Sequence, residues 1–212
     1  MRMSLLTGTT DYKGLSSADV IIEAVYENID VKVETFKKIE AVAKPGAILA
    51  SNTSGLDIDK MAEATGRPDA VIGLHFFSPA NVMKLLEVVR GENTSKETIA
   101  TSMKLGRTLN KIAVLSGNAP GFIGNRMLSG YTQQASEIIL QGATPYQVDN
   151  VLLQFGMPMG PFQMNDLVGL DLGWRARKLS GMKPEDVPIT ARVADRLCEL
   201  ERFGQKTNRG FY

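Results

Sequence analysis

"ADVIIEAVYENIDVKVETFKKIEAVAKPGAILAS", residues 18–51, decides the fold. It opens on a short apolar run, residues 18–25, rich in β-branched side chains, which suits a strand buried on both faces. Ile29, Val33, Phe36, Ile39 and Val42 then recur at three- and four-residue spacings with charges between them, the pattern of an amphipathic helix. "KPG" at 44–46 stops that helix, and "AILAS" at 47–51 begins a second buried strand. Strand, helix, strand is the unit of an α/β sheet.

The alternation continues outward. "LDIDKMAEAT" (56–65) reads as a helix, "AVIGLHFF" (70–77) and "MKLLEVVRG" (83–91) as strands, 95–109 as a helix and "KIAVLS" (111–116) as a last strand. Such alternation predicts a parallel sheet covered by helices. Past "SGNAPG" (116–121) every segment is helix-like: 121–142, 144–156, 161–181 and 189–204. A domain boundary is therefore expected near Asn118, with residues 1–117 a partial Rossmann-like, doubly wound domain and 118–212 an all-α domain.

Composition narrows the function. Twenty-four basic against 23 acidic residues leave a net charge of +1, so no field recruits nucleic acid or an anionic membrane. No stretch approaches the roughly 20 apolar residues of a membrane helix, and the start lacks an apolar segment of signal-peptide length. Cys198 is the single cysteine, which excludes an intrachain disulfide and points to a reducing compartment. It lies in an amphipathic helical stretch and reads as a structural thiol. No residues stand out as metal ligands.

The chain has one histidine, His75, at a strand's carboxyl end, where open α/β folds bind ligands. A lone histidine there fits a satisfied structural group as well as a base. Glu87, inside the next apolar strand, is either its buried partner or an outward-facing edge residue. A buried carboxylate facing the ring would fix its tautomer and stabilise its charged form.

Ser54, in "SNTSGL", is a helix cap together with Asp57, or a hydroxyl donor to a ligand. Asn125 is expected one turn into the first helix of the second domain, and Gly121 and Gly124 imply that something approaches that turn closely. Glu23, Glu27 and Lys32 lie at and after the first strand, as a capped helix start with a solvated charge face or as part of a site.

Taken together, "IEAVYENIDVK", "ASNTSGL", "GLHFFSPANVMKLLEVV", "PGFIGNRML", "MGPFQMNDLVGLD" and "RFGQKTNRGFY" resemble, in order and spacing, the 3-hydroxyacyl-CoA dehydrogenases of fatty-acid β-oxidation. The wording is most similar to the dehydrogenase part of multifunctional enoyl-CoA hydratase/dehydrogenase enzymes. The resemblance implies an NAD-dependent oxidation of an (S)-3-hydroxyacyl-CoA to the 3-ketoacyl-CoA. It makes His75 the catalytic base, Glu87 the acid that orients it, Ser54 a substrate contact and Asn125 a group near the reacting oxygens. It places Glu27, Lys32, Ser54, Ser78 and Lys206 around NAD, with Ser78 standing where stand-alone members of the family often have asparagine. It implies an acyl-CoA substrate, and a homo-oligomer or contacts with other domains of a longer parent chain. Cytoplasm is the expected setting, or the peroxisome in a eukaryote.

One departure is large. No G-x-G-x-x-G loop occurs in the 212 residues, although a dinucleotide unit normally opens with one. The first β-α-β unit is thus expected upstream, and the chain alone is expected to turn over NAD weakly or not at all. The rival reading is a non-catalytic fragment that serves as an assembly or CoA-binding module.

Overall fold

The computed structural model describes residues 3–212 and divides into two compact units, residues 1–126 and 127–212. The first holds five strands in the spatial order β1 (Val20–Glu23), β2 (Ile48–Ser51), β3 (Val71–Phe76), β4 (Leu85–Arg90) and β5 (Ile112–Gly117). Each strand lies inside the apolar run that marks it, except that β5 continues one residue further, to Gly117. Between them run α1 (Ile29–Glu40), α2 (Ile58–Glu63) and α3 (Lys96–Thr108).

The sheet is mixed, not parallel throughout. β1–β2, β2–β3 and β4–β5 pair in parallel, but β3–β4 pair antiparallel. The reason is the length of the connection. Residues 77–84 are too few for the dozen or so that a parallel crossover needs, so the chain returns directly beside β3.

Side chains alternate along the strands and sort onto two faces, both covered, so that β2 is buried at every position. Ile21, Leu49, Val71 and Val89 pack with Phe36 and Ile39 of α1 and Ile58 and Met61 of α2. Ile48, Ala50, Ile72, Leu74, Leu86 and Val88 pack on the other face, with Ile99 and Met103 of α3 against them. Helices thus cover both faces, as in a Rossmann-like layer. The same parity sends Glu23, Ser51, His75 and Glu87 to the α1/α2 face.

α1 begins where Asn28 Oδ1 accepts from the amides of Asp30 at 2.9 Å and Val31 at 3.1 Å. α2 is capped by Asp57, whose carboxylate accepts from Asp59. The expected capping role of Ser54 is therefore corrected, because the helix starts four residues later, at Ile58.

α4 (Gly124–Leu140) carries the chain into the second unit, followed by α5 (Pro145–Phe155), α6 (Pro161–Val168), α7 (Asp171–Leu179) and α8 (Ile189–Glu199). The expected single helix over 161–181 is two, broken at Gly169, whose φ of +104° favours glycine. Ala135, Val148 and Phe162 form the core of this unit, with Phe211 packed on it. Two buried aspartates hold its C-terminal tail. Asp149 accepts from the Tyr212 hydroxyl at 2.8 Å, and Asp166 accepts from the amides of Phe211 and Tyr212. Among the described residues no helix is long and apolar enough to cross a membrane.

Candidate active site

The antiparallel return of β4 sets His75 directly opposite Glu87. Nδ1 of His75 lies 2.7 Å from Glu87 Oε2, and both residues are buried, at 6% and 1% exposure. β4 is an interior strand, so the outward-facing edge alternative for Glu87 does not apply. Glu87 Oε1 accepts from the amides of Ile123 at 2.9 Å and Gly124 at 2.8 Å. With one oxygen held by backbone, the other fixes the imidazole, and Nε2 makes no hydrogen bond among the described residues.

Aromatic rings enclose that imidazole. The Phe77 ring lies 4.3 Å and the Phe122 ring 5.9 Å from it, centroid to centroid. Gly124 explains how Phe77 fits, since a Cβ there would come within 2.8 Å of the Phe77 ring. Phe77 is the close neighbour that Gly124 implies; at Gly121 the φ of +72° is what favours glycine. α4 starts at Gly124, so Asn125 sits in its first turn rather than one turn in. Its amide donates to the Ser54 carbonyl at 3.1 Å.

Beside this pair lies a charged network at the carboxyl ends of β1 and β2. Lys32 is only 1% exposed; its ammonium donates to both Glu23 oxygens at 3.0 Å and lies 3.2 Å from Glu27 Oε2. The Ser51 hydroxyl also donates to Glu23. Glu27 Oε1 accepts from the Thr53 hydroxyl at 2.7 Å and from the Ser54 amide at 2.9 Å and hydroxyl at 3.2 Å. Partial burial opposes the Glu27 charge, but the Thr53 hydroxyl, the Ser54 amide and the Lys32 ammonium together hold its carboxyl below the usual glutamate value.

Ser54, Glu27, Asn125, His75 and Glu87 are therefore brought together, with Lys32 behind Glu27 rather than at the surface. Ser78 lies on the exposed turn after β3. In the helical unit, the Lys206 ammonium pairs with Asp171 and holds that carboxyl below its usual range. No cluster of metal-ligating side chains occurs among the described residues.

Residues 1–119 match the model of the 3-hydroxyacyl-CoA dehydrogenase NAD binding domain, and residues 121–212 that of the 3-hydroxyacyl-CoA dehydrogenase C-terminal domain. The chain belongs to the 3-hydroxyacyl-CoA dehydrogenase family. It is 48% identical to a peroxisomal bifunctional enzyme of Danio rerio, matching over 99% of this chain and 31% of that protein. This family member thus spans about a third of the length of the curated relatives it matches. Among solved structures it resembles FadB2 of M. tuberculosis, with a TM-score of 0.86 and 38% identity, covering 99% of this chain and 75% of that one. It resembles (S)-3-hydroxybutyryl-CoA dehydrogenase PaaH1 from Ralstonia eutropha equally well, with a TM-score of 0.86, 35% identity and the same coverage of each chain.

Sequence reasoning marked Glu23 and the hydroxyls of residues 51–54 as candidates without giving Glu23, Ser51 or Thr53 a place in this network, and it missed Phe77. A charge at position 23, inside an otherwise apolar strand, was the one available signal, since a carboxylate there needs a partner.

Proposed function

We propose that this chain carries the catalytic groups of an NAD-dependent dehydrogenase that oxidises (S)-3-hydroxyacyl-CoA to 3-ketoacyl-CoA. The observation that carries the reading is the His75–Glu87 pair, whose geometry leaves Nε2 as the basic atom at the carboxyl edge of the sheet. Nε2 takes the proton of the substrate 3-hydroxyl, and the Glu87 carboxylate stabilises the imidazolium that forms. Phe77 and Phe122 exclude water around the ring, which strengthens that pairing. Ser54 and Asn125 orient the substrate oxygens, because reacting atoms must be held about 3 Å apart.

Bound NAD supplies the hydride acceptor. The residues present fit one end of it, through the exposed Ser54 hydroxyl and the partly exposed Glu27 carboxylate. Lys32 serves that end by holding Glu27. Ser78 and Lys206 are proposed as further contacts on the strength of the family resemblance. No glycine loop for the pyrophosphate is among the 212 residues, so weak turnover by the chain alone is expected.

The test supplies the missing loop as an N-terminal β-α-β unit and follows acetoacetyl-CoA-dependent oxidation of NADH. Turnover that His75→Gln abolishes is expected; no turnover with the loop in place would sink the reading. For its setting we propose the cytoplasm, or the peroxisome in a eukaryote; the Danio rerio relative is named a peroxisomal enzyme.

For partners, besides the acyl-CoA, we propose a second copy or another domain against the helical unit. Ile138 and Val151 there are 46% and 63% exposed. Light scattering at tens of micromolar should give a mass above the monomer, and a strictly monomeric species counts against self-association.

A further inference from the structure

We propose that Glu23 is a positioning residue of this site: through Lys32 and Glu27 it fixes the Ser54 hydroxyl as a hydrogen-bond acceptor toward the ligand. The identity of that ligand rests on the dehydrogenase reading above; the positioning does not.

The argument begins with a charge in an unfavourable place. Lys32 lies in the first turn of α1, where the helix dipole disfavours a cation, and it is buried, which disfavours any charge. Such an ammonium persists only with carboxylates and acceptors around it. Glu23 supplies two of its contacts, at 3.0 Å each, and the Val25 carbonyl another at 3.3 Å. Glu23 is itself 4% exposed and fixed by the Ser51 hydroxyl and by the Val25 amide at 3.0 Å. It therefore ties the ends of β1 and β2 to α1, and it sets where the ammonium sits.

The ammonium then sets Glu27. It holds Oε2, while Oε1 turns to the 53–54 loop and accepts from both hydroxyls and from the Ser54 amide. A serine hydroxyl has one proton and two lone pairs. Because Ser54 gives that proton to Glu27, an arriving ligand meets its lone pairs. The ligand group facing Ser54 must donate, as a carboxamide N–H does; a ketone oxygen does not, and neither does a 3-hydroxyl whose one proton points at His75 Nε2.

The test is hydrogen exchange by NMR on the 212-residue chain. In Glu23→Gln, the Ser54 amide should exchange about tenfold faster, as for loss of one charge-assisted hydrogen bond. The amides of Leu74 and Val88, in β3 and β4, should change less than about twofold. If Glu23→Gln unfolds because its ammonium is left under-compensated, the double variant Glu23→Gln/Lys32→Met removes both charges and restores the fold. Ser54 should still exchange fast in it, because Glu27 has lost its cation.

Unchanged Ser54 protection in the folded variants would overturn the proposal, and so would an increase uniform over β1–β5. The dehydrogenase reading is decided separately, by turnover of the chain completed with a glycine-loop unit: no turnover there sinks that reading and leaves the exchange result to decide the role of Glu23.

Discussion

His75 and Glu87 are direct cross-strand partners in the one antiparallel pair of the described sheet. They stand twelve positions apart in sequence, and the turn that reverses the chain also aims both side chains at the same face. The pairing follows from strand register, so it does not depend on a loop that could drift.

Replacing either partner should be costly to turnover. In the chain completed with a glycine-loop unit, His75→Gln is expected to lower kcat by about 10²–10⁴-fold, the usual contribution of a general base. Glu87→Gln should lower kcat as well. Steady-state acetoacetyl-CoA reduction measures both, and a parent-like kcat in Glu87→Gln would contradict the pairing's role.

Gly124→Ala should disturb the site from behind. The added methyl would meet Phe77, which packs on the imidazole, at a cost of about 1–3 kcal/mol for overpacking. Trimming the neighbour in Gly124→Ala/Phe77→Leu should recover part of that loss. Thermal denaturation of the three chains decides it, and an unchanged Tm in the single variant would show that the ring moves freely.

Glu27 gives the fold an acid-sensitive component. Its carboxyl is held below the unfolded value, so its contribution is present above the ordinary glutamate range and is lost as pH falls through the folded value. Urea midpoints between about pH 3 and 6 should therefore fall less steeply with acid in Glu27→Gln than in the parent. Parallel curves would mean that the Thr53, Ser54 and Lys32 contacts contribute nothing net.

Cys198 should be chemically silent while the protein is folded. Burial, with Asp195 and Asp171 adding to it, pushes its thiol up to about 11, and its exposure is 1%. A disulfide reagent at about pH 8 should modify it only after denaturant is added; rapid labelling of the native chain would contradict this.

Much of this arrangement was legible in the sequence. Strand positions follow from apolar runs such as residues 47–51, which can only be buried, and α1 follows from the spacing of Phe36 and Ile39. His75 and Glu87 stand out as a titratable pair at the end and in the middle of adjacent strands. The antiparallel return was legible too, in the shortness of residues 77–84, but the strand–helix rhythm on either side argued for a parallel sheet. The Glu23–Lys32–Glu27 network was not legible. A charge four residues past a strand and another in a helix's first turn look like solvated surface until β1 and β2 are laid side by side.

The hold of Glu87 on the amides of Ile123 and Gly124 bears on what stabilises the start of α4. A helix's first N–H groups are usually satisfied by a side chain a few positions away. Here the satisfying carboxylate comes from a strand 37 residues earlier than Gly124. A peptide cut from this region would lack it, and helix initiation is the costly step. The first turn of α4 thus draws part of its stability from β4, and the turn that carries Asn125 is held by the same carboxylate that holds the imidazole.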